Sequence, residues 1–197
     1  MQIAAVVPAA GSSTRMGGAN KLLLPWKAST VIRQVIDALT ASGVEEIVVT
    51  LGHEAETMRQ ALGKAPVRIL HNTSHQQGMS TSILQGVKML PDKVDGIMIA
   101  LADMPEIRPA TIAALCNAFH SHAGKYIVVP VHDEQPGHPV IFPGALRNQL
   151  LRLEGDRGAK DVIEQNHDSV LRVDVNDPGV CRDIDSMEDY KALRVKG

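Results

Sequence analysis

The stretch "VVPAAGSSTRMGGANKLLLPW" (residues 6–26) runs from an apolar segment into a loop of small residues that presents Arg15 and Lys21. Residues 3–9 are apolar and free of charge, which reads as a strand. Gly11, Ser12, Ser13, Gly17 and Gly18 let the following backbone fold tightly and aim its N–H groups at an anion. Arg15 adds a forked donor and Lys21 a mobile point charge, a pair suited to a triphosphate. No G-K-[ST] closes the loop and no G-x-G-x-x-G follows the strand, so neither a Walker A loop nor a dinucleotide fingerprint is present. The plain alternative is a surface loop with two solvated cations. Residues 1–36 hold Arg15, Lys21, Lys27 and Arg33 with no Asp or Glu, and those acid-free surroundings favour phosphate.

Outward from this stretch, short β-rich runs alternate with helical patterns, the mark of a mostly parallel sheet covered by helices. Strands are predicted over 3–9, 46–51, 67–71, 96–101, 126–131, 140–142 and 170–175. Helices are predicted over 30–41, 55–62, 80–89, 110–120, 159–165 and 187–194. Ser80 or Thr81 is expected to cap the third helix, and Pro109 suits the first turn of the fourth. Residues 131–160 break the alternation with Gly and Pro and read as an insertion forming a second lobe. In open α/β sheets ligands bind beyond the carboxyl ends of the strands, so loops 10–20, 72–79 and 102–108 should share one rim.

The chain has 197 residues, enough for one domain with a proper core. Aromatics at 3% and a net charge of −2 argue against a nucleic-acid surface. Two distant cysteines, Cys116 and Cys181, offer no structural zinc site and suit a reducing compartment. The opening residues lack a basic leader pattern and no apolar run reaches membrane length. A cytoplasmic protein with no membrane partner is expected.

Three further constellations carry chemistry. In "IMIALADMPEI" a buried strand ends at Asp103, and Pro105 turns the chain away. A carboxylate so placed suits Mg²⁺, which takes one or two carboxylates plus phosphate oxygens. An Asx-turn before the proline is the alternative. In "HNTSHQQGMSTSILQG", Asn72, Gly78, Ser80, Thr81 and Ser82 gather small polar groups at a helix start, where they could read a sugar or base, or simply cap the helix. In "GHPVIF" and "EGDRGAK", His138 is a candidate ligand contact or acid/base group, and Asp156 either caps the helix after Gly158 or borders a second anion site. The acidic run over 174–189 includes Asp183 and Asp185 and reads by default as a solvated face.

With these motifs in view, "AAGSSTRMGGANKLL" resembles the signature of MobA-like nucleotidyltransferases and is most similar to that of molybdenum cofactor cytidylyltransferases. The likeness continues in order through "GMSTSI", "LADMP", "GHPVIF", "GDRGAK" and "DIDSMEDY". It implies a Rossmann-like three-layer α/β sandwich of nucleotide-diphospho-sugar transferase type, a single domain. Residues 1–105 would bind the nucleoside triphosphate and residues 106–197 the acceptor. Ala9, Ala10, Gly11, Ser12, Arg15 and Gly17 would wrap the nucleotide, with Arg15 and Lys21 on its phosphates. Asn72, Gly78, Ser80, Thr81 and Ser82 would border its base and ribose. His138, Asp156 and Gly158 would line the acceptor side. Asp103 corresponds to the Mg²⁺-binding aspartate; Asp185 or Asp183 is a second candidate. Arg15, Lys21 and Asp103 are thus the expected catalytic groups.

The implied reaction moves CMP from CTP to the phosphate of the molybdopterin cofactor, with a recipient molybdoenzyme as a conceivable partner. "AAG" where guanylyl relatives carry "AGG", and Asn20 where they carry Asp, favour CTP. "LADMP" in place of the commoner "LGDMP" leaves the aspartate where it is. A GTP-using or other acceptor-specific transferase, a nucleotide-dependent oxidoreductase of the same family, and a cofactor-carrying binding module stay open.

Overall fold

A computed structural model describes residues 1–13 and 16–196. Its first strand, β1 (Ile3–Ala9), sends Ile3, Ala5, Val7 and Ala9 to one core and Ala4 and Val6 to another. A strand apolar on both faces belongs inside a sheet with both sides covered. β1 sits there, parallel to β4 (Glu46–Leu51) on one side and to β6 (Gly96–Ile99) on the other. β5 (Arg68–His71) continues the parallel set beyond β4. Past β6 come β9 (Val140–Pro143), β7 (Ile127–His132) and β10 (Val170–Asp174), so the order is β10-β7-β9-β6-β1-β4-β5. β8 (Gln135–Pro136) pairs with β7, and β2 (Pro25–Trp26) with β3 (Ser29–Thr30) forms a separate two-stranded ribbon.

One core packs the sheet against α1 (Val31–Ala41), α2 (Ala55–Leu62), α4 (Pro109–Ser121) and α7 (Met187–Lys196). The other packs it against α3 (Met79–Met89), α5 (Arg147–Leu150) and α6 (Lys160–Gln165). The three-layer expectation therefore holds, and the predicted strands and helices appear with shifts of one or two residues at their ends. Gly86 brings α3 down onto β1, because a Cβ there would fall on Val6 Cγ1.

Two local expectations change. Residues 131–160 form no separate lobe. They supply β8, α5 and above all β9, which lies antiparallel between β6 and β7 with all four residues buried. "VIFP" is too apolar to sit outside the core, and its insertion makes the sheet mixed. Helix α3 starts at Met79 rather than Ser80, with Gly78 at the N-cap and no side-chain cap from Ser80 or Thr81. Among the described residues no helix is long and apolar enough to cross a membrane.

Candidate active site

The loop after β1 is pinned from several sides. Ala9 and Ala10 are buried, whereas Gly11, Ser12 and Gly17 are exposed at the rim. His53 N–H donates to the Ala10 carbonyl at 3.3 Å. Gly52 permits that approach, since a Cβ there would lie 2.7 Å from Ala10 Cβ. Gly17 and Gly18 adopt φ of +64° and +96°, a region that favours glycine. Ser13, one of the small residues of the loop, organises the turn: its carbonyl accepts from Met16 N–H at 2.9 Å and its Oγ from Lys21 N–H at 3.2 Å. Asn20 Oδ1 then accepts from Leu22 N–H at 3.1 Å and opens the short 3-10 turn that carries Lys21. Arg15 lies outside the described residues.

Lys21 points at carboxylates far away in sequence. Its Nζ donates to Asp103 Oδ2 at 2.6 Å and to Asp185 Oδ1 at 3.2 Å. Asp183 completes a group of three whose ligand oxygens lie within 4.8 Å of one another. The Lys21 and Asp103 side chains are each only 17% exposed, so water and salt screen this pair less than a surface pair. Burial alone would lower the Lys21 pKa; the charges and hydrogen bonds of Asp103 and Asp185 outweigh it and hold it above the ordinary value. Loss of solvation raises the Asp183 carboxyl and the Asp103 and Asp185 charges raise it further, against smaller pulls from its own backbone N–H and from Lys21. Asp103 Oδ1 is buried with no hydrogen-bond partner among the described residues. Hard oxygen donors that repel one another, one of them unpartnered and buried, fit a divalent cation such as Mg²⁺ or Mn²⁺.

The two C-terminal aspartates reach Asp103 because their segment is threaded through a narrow gap. Ile184 N–H donates to the Asp103 carbonyl at 3.0 Å. Upstream, Asp177 is 2% exposed and serves three donors: Thr111 Oγ1 at 2.6 Å, Arg108 N–H at 3.0 Å and Gly179 N–H at 3.1 Å. It thereby caps α4 from a distant part of the chain. Gly179 lies against the backbone of Glu106 and Ile107, where a Cβ would come within 2.6 Å of Glu106 C. On the other side His138 N–H donates to the Val180 carbonyl at 2.8 Å, and Gly137 leaves no room there for a side chain. Beyond the aspartates, Ser186 and Asp189 cap α7 reciprocally, and Tyr190 Oη donates to the Pro25 carbonyl at 2.5 Å.

His138 belongs to the same spot. Burial lowers its pKa, opposed by the Ile99 backbone and the Asp103 charge, so its ring is held toward the neutral form. Its Nδ1 is buried without a hydrogen-bond partner among the described residues.

The remaining predicted residues form a second group at the start of α3. Asn72 is fully buried, and its Nδ2 donates to Thr81 Oγ1 and Ser82 Oγ, both at 2.9 Å. Its Oδ1 accepts from Ser74 N–H at 2.9 Å and Gln85 Nε2 at 2.7 Å. The amide is saturated and shapes the loop from within. Ser80 and Ser82 are buried as well, while Thr81 Oγ1 donates to the Gly78 carbonyl at 2.8 Å. Asp156 does not cap the helix after Gly158. Its Oδ1 accepts from Met79 N–H at 3.1 Å, and the Gly155 carbonyl accepts from Ser80 N–H at 3.1 Å, so the 155–158 turn closes the N-terminus of α3 instead. Gly78 permits this contact with φ +110°; a Cβ would lie 2.5 Å from the Gly155 oxygen. Gly158 sits over Met79 and Ile83.

Residues 5–170 match the family model described as MobA-like NTP transferase domain. The chain is 27% identical over 196 residues to nicotine blue oxidoreductase of Paenarthrobacter nicotinovorans, covering 97% of this chain and 96% of that protein. It is 23% identical to the molybdenum cofactor cytidylyltransferase of Escherichia coli K12 over 94% of this chain and 92% of that one. It also matches the bifunctional protein GlmU of Heliobacterium modesticaldum at 32% identity, spanning 30% of that longer protein. Among solved structures, Rv0371c of Mycobacterium tuberculosis H37Rv in complex with manganese superposes with a TM-score of 0.83 at 27% identity, covering 100% of both chains. A nucleotidyl transferase of Methanothermobacter thermautotroptrophicus gives 0.83 at 26% identity, covering 99% of this chain and 97% of that one. The identities place the cytidylyltransferase among several distant relatives, so the expected subgroup is not singled out.

Proposed function

The chain belongs to the MobA-like NTP transferase family, and from that premise we propose that it transfers CMP from CTP to the phosphate of a molybdopterin cofactor. The observation that carries the reading is the meeting of Lys21, Asp103, Asp183 and Asp185 beside the small-residue loop after β1. A site built this way holds anions and a cation, and chemistry on it requires no strong base. That suits an acceptor phosphate, which is already ionised. One acceptor oxygen bonds to the α-phosphorus as the bond from that phosphorus to the bridging oxygen breaks, and pyrophosphate leaves with the electron pair.

In this reading the loop 9–17 and Lys21 hold the triphosphate in line with the acceptor. Asp103, Asp185 and Asp183 would hold the divalent cation, which supplies charge neutralisation at the phosphates when bound. Arg15 supplies a second positive group. His138, held toward the neutral form, borders the acceptor side, and Asp156 and Gly158 shape that side by fixing the start of α3. Asn20 and the "AAG" run support CTP over GTP. A molybdoenzyme that takes up the product is the partner this chemistry calls for.

The test is pyrophosphate release with each of the four NTPs and Mg²⁺, molybdopterin supplied, followed by product mass. Turnover with CTP and a product heavier by CMP is expected; equal turnover with CTP and GTP sinks the cytidylyl assignment. A second reading, a nucleotide-dependent oxidoreductase, is favoured by the near full-length similarity to nicotine blue oxidoreductase. It predicts protein-dependent NADH or NADPH oxidation. The absence of G-x-G-x-x-G after β1 counts against it.

A further inference from the structure

The Lys21 ammonium lies among the very carboxylates that fit a divalent cation, at 2.6 Å from Asp103 and 3.2 Å from Asp185. One positive group cannot serve two places. If Lys21 is to hold a triphosphate, it must leave Asp103. If it stays, it offsets part of the negative charge of the carboxylates, but a cation meets them already paired. We infer that Lys21 is an internal stand-in for the metal: it offsets the mutual repulsion of the aspartates in the ligand-free protein and turns to the nucleotide phosphates when a divalent cation takes its place. This inference rests on the reading of the site as a cation-assisted nucleotide site.

The surroundings make the exchange feasible. Lys21 sits in a short 3-10 turn, its backbone N–H held by Ser13 Oγ and its carbonyl by Leu24 N–H, so the flexible stem can swing while the loop stays in place. The aspartates are fixed independently of Lys21, through the Ile184–Asp103 backbone bond and the Asp177 anchor. The backbone that carries them therefore keeps its position when the lysine departs. Asp103 Oδ1, buried and unpartnered among the described residues, remains open for a second cationic contact that Lys21 does not make. The outcome is an ordered site: cation entry frees a positive side chain at the moment a triphosphate needs one.

The test uses amine-reactive labelling of the whole protein, with lysines resolved by mass spectrometry. Saturation by Mn²⁺ is followed separately by its EPR signal. Lys21 should label slowly in the free protein and several-fold faster at saturating Mn²⁺, with Lys27 and Lys125 unchanged. It should slow again when CTP is added. Lys21→Met should bind Mn²⁺ about tenfold or more tightly, as expected when a competing charge leaves a carboxylate. Lys21→Arg, which still pairs with carboxylates, should not bind it more tightly. Lys21 labelling that stays constant while Mn²⁺ saturates the wild type overturns the inference, and so does Mn²⁺ affinity unchanged in a folded Lys21→Met. Failure of Mn²⁺ to bind even the Lys21→Met protein overturns it together with the cation assignment. None of these readouts depends on turnover, so failure of the CTP assay leaves them distinguishable.

Discussion

Asp103 occupies the position where charge, burial and chain geometry coincide. It takes the Lys21 ammonium on one oxygen, keeps the other unpartnered among the described residues, and lends its backbone carbonyl to Ile184. Asp103→Asn should leave the fold intact by circular dichroism while lowering Mg²⁺-dependent pyrophosphate release by about 10²–10³, the size typical of a lost transition-state charge contact. Retained turnover would remove Asp103 from the chemistry. Asp103 was legible because a carboxylate stood alone at a strand end with a proline behind it. Asn72 and Asp156 were legible as polar residues near a helix start but not in their duties. One saturates itself inside a loop and the other caps a helix more than seventy residues upstream, and no local pattern encodes such a partner.

Helix α4 and the segment behind it act as a unit through Asp177. Burial alone would raise that carboxyl. Hydrogen bonds from Thr111, Arg108 and Gly179, with the Arg108 charge, outweigh it and hold the pKa below the ordinary value. A folded-state pKa that is depressed contributes stability above the unfolded value of about 3.9 and loses it as the pH falls through the folded one. Asp177→Asn should therefore cost about 1–3 kcal/mol in denaturant unfolding at pH 7. The gap from wild type should narrow below about pH 4 as the carboxylate protonates. A pH-independent gap would mean that shape rather than charge sets its role. Packing between elements gives a second case. Gly86→Ala drives a methyl into Val6 where α3 crosses β1 and should cost about 1–3 kcal/mol, read as a lower unfolding midpoint. Helix α3 itself followed from its apolar spacing; the glycine contact that brings it close did not, since a glycine inside a helix looks only like a weak helix former.

At the scale of the molecule, the site couples three remote parts of the chain, with Lys21 lying 82 residues from Asp103 and 164 from Asp185. Anything that binds all of them stabilises the folded chain. Mn²⁺ at a hundredfold excess over its Kd should add about 2.7 kcal/mol by mass action, and chelation should reverse the rise in Tm. Asp103→Asn should abolish that rise, and an undiminished shift in the variant would place the cation elsewhere. The alternation of strands and helices, the parallel core around β1 and the small-residue turn that follows it were all readable along the chain. They depend on side-chain periods of two and of 3.6 residues and on local turn chemistry, which neighbours in sequence decide. The seating of β9 between β6 and β7, the closure of α3 by Asp156, and the pairing of Lys21 with Asp103 and Asp185 came only with the folded chain. Each is set by which buried surfaces and unpaired polar groups fit together across long separations, and residues so far apart carry no mark of one another in the sequence.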